Sequence, residues 1–326
     1  MIHGLEQGAL PALVNQFVVL GIVDRFWAPV DNLITDVVTL NPTLLQLFVF
    51  AVLLSGIYAL VAIGLTIIFG VMDIVNFAHG AFIVIGMYAV WVLNSTFGIT
   101  PLVGVPFAVV VLFVVGVLMQ HLTVKPIIEA PQHNQFIVTF GVLLILESAT
   151  EITFGPNPRS IDIQLGQFQV FGAFIPYGQL ITFGLAFLAG VLLWLFLFRT
   201  KTGRAVRGTA DSRDGARYVG IDISRIDLIT FGLGAALAGL AGASLVLYRN
   251  FDPYAGNQYL INAFVIVVLG GLGSLPGAFL GAVVIAFIEV FGGFYMPGTS
   301  YRTLVFVVFI AVLVFQPQGI MGEGGN

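Results

Sequence analysis

Residues 259–288 read "YLINAFVIVVLGGLGSLPGAFLGAVVIAFI", thirty positions without one charged side chain. As one helix they would extend about 45 Å at 1.5 Å per residue, more than a ~30 Å hydrocarbon core requires. The apolar run assigns the segment to a membrane, and "LGGLGSLPG" (269–277) near its middle supplies a break. Two helical segments joined at this Gly/Pro break, as a re-entrant pair, are expected; a single tilted and kinked helix is the alternative.

The rest of the chain agrees with this class. Of 326 residues, 59% are apolar and only 9% charged, against about 25% charged in a soluble protein, and the mean hydropathy is +1.05. The 39 glycines suit close helix–helix approach in lipid, and the 14 prolines are easier to accommodate in membrane helices than in a soluble bundle. With no cysteine, disulfides, thiol chemistry and cysteine metal sites are excluded. The first basic residue is Arg25, so no cleavable signal with a basic n-region is expected. The predicted fold is an all-α polytopic integral membrane protein of about eight to nine membrane helices, broken or re-entrant segments included.

Working outward, candidate spans fall at 44–69, 71–93, 101–120, 134–154, 173–198, 226–248 and 303–315. Residues 8–23 are apolar but short and read as an interfacial helix, with a short extra span as the alternative; 24–43 read as a polar connector. The chain thus divides into an N-terminal segment, 1–43, and a transmembrane domain, 44–326. Seven of the twelve Lys and Arg residues lie between Arg199 and Arg225, which places that loop in the cytoplasm by the positive-inside rule. Residues 155–172 then fall outside, where the alternation in "IDIQLGQFQV" (161–170) predicts a small β-hairpin around Gly166.

No GxxxxGK[ST] phosphate loop, HExxH or GxSxG occurs. A catalytic function is therefore not expected, and the four histidines, in separate segments, give no metal set. The costly polar residues are few. In "VMDIVNFAHGAF" (71–82), Asp73, Asn76 and His79 are spaced by three, which on a helix puts them roughly on one face. One reading is a polar patch lining a translocation path. The other makes Asp73 an N-cap accepting from Asn76, with His79 merely bonded inside a bundle. Glu147 either pairs within the bundle or faces the path; Glu151 is expected to be solvated, and Glu289 to mark an interface. Gly270, Gly271 and Gly273 either line a gate or form a packing kink.

Four stretches carry a family resemblance: "GIYALVAIGLTIIFGVMDIVNFAHGAF" (56–82), "GRAVRGTADSRDGARYVGIDISRIDLITFGLGAALAGLAG" (203–242), "AFVIVVLGGLGSLPGAFLGA" (263–282) and "FQPQGIMG" (315–322). In this order they resemble LivH-type permeases, the membrane subunits of ABC importers for branched-chain amino acids. The resemblance implies that ATP is bound and hydrolysed on a separate cytoplasmic ATPase chain, with no cofactor on this one. It also implies a second, LivM-type permease subunit, a solute-binding protein docking outside, and a bacterial or archaeal cell membrane; nucleic acid has no role. The loop carrying Gly203, Arg204, Arg207, Ala210, Arg213, Ala216, Arg217 and Gly220 would dock on the ATPase, with Ala210, Ala216 and Gly220 at its small positions, although the literal Glu-Ala-Ala triplet is missing. Related permeases carry urea or short-chain amides, which stays open as a substrate. An ion-coupled secondary transporter is the rival of another class, since such carriers also use broken helices and buried carboxylates.

Overall fold

The computed structural model describes residues 28–39, 41–163, 165–296, 298 and 300–322. The expected interfacial helix at 8–23 lies outside them. Within the expected connector, a helix (α1) occupies residues 28–38. Its Asp36 accepts from Asn41 Nδ2 and from Tyr295 Oη, both at 2.7 Å.

Helix α2 (Pro42–Met72) is the longest. Asn41 caps its first turn by accepting from the Thr43 N–H, and Pro42 sits where the missing N–H costs nothing. It begins beside a β-hairpin, where Gln46 exchanges bonds of 2.8 and 2.6 Å with the Phe174 backbone. It ends at the basic loop. Asp73 stops it in a left-handed conformation, φ 54°, with its N–H on the Phe69 carbonyl. The chain does not continue as a helix over the next residues. It turns back into the bundle, and α3 (His79–Phe97) starts there. The His79 ring bonds the Val61 carbonyl, eleven residues before Met72 and so about 16 Å back along α2 at 1.5 Å per residue.

α3 climbs to the hairpin face and α4 (Pro101–Met119) returns, passing through a π-turn at Gln120–Val124. α5 (Gln132–Phe154) and α6 (Tyr177–Arg199) flank the hairpin. Its strands are β1 (Gln167–Val170) and β2 (Ala173–Pro176), with Gln167 opposite Pro176. The turn is at Phe171–Gly172, φ 49° and 88°, and not at Gly166. Two successive positive φ values suit a two-residue hairpin turn, which the alternating run upstream does not supply.

On the basic face lie α7 (Lys201–Asp211) and α8 (Arg213–Tyr218). Gly220, φ 82°, separates α8 from α9 (Ile223–Leu245), and Asp222 caps α9 by accepting from the Arg225 N–H. α9 is the central helix: 83% of its apolar window is buried, against 22% for α5 and α6. Its glycines permit this. A Cβ on Gly242 would overlap the Ile83 carbonyl oxygen of α3, and one on Gly239 would press against Leu112 of α4.

The thirty-residue run is two helices, α10 (Gly256–Gly270) and α11 (Leu275–Tyr295). The break at 271–274 lies at the basic end of the bundle, where Gly273 touches Gly70 of α2. Gly271 and Gly273 take φ 106° and 84°, which a side chain resists. The segments are thus successive helices turning at one face, not a single kinked helix. α12 (Ser300–Phe315) returns to that face, and Ile320 and Met321 donate backbone bonds to the carbonyls of Leu269 and Gly270. Among the described residues, seven helices are long and apolar enough to span a bilayer, and α10 and the apolar part of α12 are shorter ones. The molecule is a polytopic all-α membrane protein.

Candidate functional site

Three polar regions sit on this frame. The first is the break between α2 and α3. Asp73, Asn76 and His79 do not share a helical face, because residues 73–78 are not helical. Asp73 caps the C-terminus of α2 and is exposed, so the expected N-cap bond from Asn76 is replaced by left-handed capping. Asn76 and His79 are fully buried. Thr139 of α5 holds the segment by donating to the Val75 carbonyl at 2.9 Å, and His79 Nε2 meets the Val61 carbonyl at 3.0 Å. Both amide atoms of Asn76, and Nδ1 of His79, have no hydrogen-bond partner among the described residues. An unsatisfied buried amide costs on the order of 1–3 kcal/mol, so this break carries unspent polar capacity inside an apolar bundle.

The second region is a cleft of about 840 Å³ on the basic face. It brings together residues that are distant in sequence: Asp73, Gly70 and Val71 at the end of α2, Gly273 and Ser274 in the α10–α11 turn, Arg207 and Ala210 on α7, and Met321. Gly270 and Gly271 are buried behind it, beside Gly277 and the terminal segment. The wall formed by α7 and α8 is an amphipathic platform. Gly203, Val206 and Thr209 face inward, while Arg204, Arg207 and Ala210 face out. Gly203 lies flat on the Phe196–Leu197 backbone, and Arg207 donates to the Leu197 carbonyl at 3.1 Å with its guanidinium 4.2 Å above the Phe198 ring. On α8, Ala216 is buried, and exposed Arg217 lies 3.7 Å from Glu129.

Arg213 is the anchor of the platform. It forms a two-pronged pair with Asp227 of α9, at 3.0 and 2.8 Å, and donates to the Val71 carbonyl at 2.7 Å. A cation on the last carbonyls of α2 is also favoured by the helix dipole. Asp227 was not a candidate in the sequence; its signal was a lone acid, the fifth residue of a small-residue-rich helix.

The third region lies between α2, α10 and α11, about the middle of α2. Tyr58 Oη donates to Glu289 Oε2, and Asn262 Nδ2 donates to Tyr58 Oη at 2.8 Å and to the same carboxylate oxygen at 3.3 Å. Glu289 is therefore an internal member of a network and not an interfacial boundary; hydropathy alone cannot tell the end of an apolar run from a polar group turned inward. Glu147 is buried on α5 and faces the Asn257 side chain. Glu151, one turn on, accepts from Tyr254 Oη at 2.6 Å. That bond raises the pKa of the exposed Tyr254 phenol, because the carboxylate disfavours a neighbouring phenolate.

Among the described residues, no group of three or more His, Asp or Glu side chains could hold a metal ion. The arrangement is a broken helix with unpaired polar groups inside the bundle, and a basic platform wired to the end of that helix.

Comparisons with known proteins give the family. A family model described as "Branched-chain amino acid transport system / permease component" matches residues 47–313. The high-affinity branched-chain amino acid transport system permease protein BraD of Pseudomonas aeruginosa is 31% identical over 86% of this chain and 96% of its own. LivH of Escherichia coli K12, of the same description, is 32% identical over 83% and 93%. The corresponding LivM permease of that organism is 28% identical over 82% and 68%. No solved structure matches the chain. On the family match and these identities, the chain belongs to the branched-chain amino acid transport permeases.

Proposed function

We propose that this chain is one permease subunit of an ABC importer for branched-chain amino acids in the cell membrane of a bacterium or archaeon. The ATP is bound by a separate cytoplasmic ATPase that seats on α7–α8, and no cofactor resides on this chain. A second, LivM-type permease completes the path, and a solute-binding protein delivers the amino acid at the hairpin face. The observation that carries the reading is the Arg213 anchor. A platform clamped at once to α9 and to the last turn of α2 can pass a movement imposed from the cytoplasm to the helix break two residues beyond Val71. Asp73, Asn76, His79 and Glu147 line or organise the path in this reading, and Gly270, Gly271 and Gly273 form its hinge at the basic face. A urea or amide permease and an ion-coupled carrier are not favoured, since the relatives are named for branched-chain amino acids.

The test is gentle solubilisation of the tagged chain from its native membrane, with mass spectrometry of what comes with it. Recovery of ATPase chains and a second permease, and leucine-dependent uptake that collapses when ATP is depleted, are the expected results. A chain that comes out alone, with uptake that follows an ion gradient, would overturn the reading.

A further inference from the structure

The end of α6 on the basic face joins an apolar stripe to a fixed positive charge. Residues 183–198 carry no charged side chain, hydroxyl or amide, and only 22% of this helix's apolar window is buried. Phe187, Val191, Trp194 and Phe198 are all exposed, and their spacing of four, three and four lines them along one face. Gly190 leaves a notch in the stripe, since a Cβ there would meet nothing within 4 Å. The Trp194 and Phe198 rings stack with their centroids 5.5 Å apart. At the end of a span, such aromatic side chains sit at the level of the lipid headgroups.

The charge is Arg207, which also borders the wide cleft. α7 folds back on the end of α6, and Arg207 Nε donates to the Leu197 carbonyl while the guanidinium lies 4.2 Å above the Phe198 ring. No acid neutralises it. Asp211, one turn on, forms no ion pair with it, and Nη1 and Nη2 donate no hydrogen bond among the described residues. Lys201 and Arg204 precede it at intervals of three on α7, exposed and equally unpaired among the described residues. An arginine that merely snorkels to water needs neither the carbonyl nor the ring. Here the side chain is held in place with two amino groups free, the planar fork that suits a phosphate. Lipid and protein are the two ways to cover an apolar helix. The stripe offers a protein partner no hydrogen bond beyond the Trp194 indole, and an acyl chain needs none.

We propose that Arg207 and the α6 stripe form a binding site for an anionic phospholipid of the cytoplasmic leaflet. Arg207 takes the phosphate, Arg204 and Lys201 add attraction for its charge, and an acyl chain lies along Phe198, Trp194, Val191 and Phe187. The inference does not depend on which solute the protein carries.

The chain has three tryptophans, so Trp27→Phe/Trp91→Phe leaves Trp194 as the sole reporter at the site. This full-length parent is reconstituted in bilayers that mix ordinary and brominated lipids. Quenching of Trp194 then gives the binding of phosphatidylglycerol relative to phosphatidylcholine. One basic side chain near an anionic surface is worth roughly fivefold in binding, so the parent should prefer phosphatidylglycerol by at least that factor. Arg207→Gln should bring the preference close to parity. Arg225→Gln, which removes an exposed charge elsewhere on the basic face, should leave it intact. Equal binding of the two lipids by the parent overturns the site. An equal fall in Arg207→Gln and Arg225→Gln overturns it too, because the preference then belongs to the general field of the basic face. If Arg207→Gln does not fold, Lys201→Gln/Arg204→Gln carries the test, since neither side chain bonds a neighbour among the described residues. A clear fall in preference is expected there, and an unchanged preference overturns the site.

Discussion

Asn76 is fully buried with neither amide atom bonded among the described residues. Such a group lowers stability, and an apolar residue of similar size relieves the cost. Asn76→Leu is therefore expected to raise thermal stability, by an amount on the order of 1 kcal/mol, while lowering substrate uptake. Thermal unfolding followed by fluorescence size-exclusion, together with uptake, checks this; a variant that is both less stable and fully active contradicts it. Arg213 presents the opposite case. Asp227 is nearly enclosed, its side chain 5% exposed, and depends on one guanidinium. Removing one partner of a buried pair costs about 3–5 kcal/mol, here toward the lower end because the Arg213 side chain is 31% exposed. Arg213→Ala should thus unfold well below wild type. Asp227→Asn, which keeps an acceptor for Arg213 and removes the buried charge, should be much milder. Equal destabilisation by the two would show that the pair acts through bulk and not through charge.

The elements are held by what their glycines leave out. A Cβ on Gly242 would collide with the Ile83 carbonyl, whereas one on Gly141 of α5 meets nothing within 4 Å. Gly242→Ala should then force α3 and α9 apart, at about 1–3 kcal/mol. Gly141→Ala should stabilise α5 by roughly 0.5–1 kcal/mol. Midpoints of thermal unfolding in detergent would rank the two, and a Gly242→Ala protein as stable as wild type would mean that the crossing is not tight. That some helix approaches α9 closely is legible in its sequence, because Ala235/Gly239 and Ala238/Gly242 show small-xxx-small spacing, but that α3 is the partner is not. The positions of the spans, the break after Leu269 and the basic platform were legible too, since each rests on a local signal of charge, length or glycine content. The return of residues 73–78 into the bundle was not legible. Spacing by three suggests a helical face, but the chain is held out of the helix there by Thr139 on α5 and Val61 on α2, contacts that no local pattern encodes. The clusters around Glu289 and Asp227 failed for the same reason: their partners lie 27 to 231 positions away for Glu289 and 14 for Asp227.

At the scale of the molecule, the two faces differ in a way that fits a subunit of a larger machine. The basic face carries the wide cleft and the α7–α8 platform, and at the end of α8 it presents Tyr218 and Val219, 89% and 77% exposed. A tyrosine thrust outward beside Arg217 is the kind of anchor that interfaces bury at their centre, and Val219 adds apolar surface next to it. Their exposure means that they contribute little to the fold of the isolated chain, so their removal separates docking from stability. The double variant Tyr218→Ala/Val219→Ala should fold with an unchanged unfolding midpoint and reach the membrane in normal amounts. It should nevertheless lose the ATPase chains on purification, and with them ATP-dependent uptake. Truncation of an interface anchor typically costs at least 2 kcal/mol, or roughly thirtyfold in affinity, enough to empty the complex at moderate subunit concentrations. Retention of the ATPase by this variant would move the docking surface away from the end of α8, to the cleft walls of α7 and the α10–α11 turn, where Arg207 and Ala210 would have to supply the contact instead.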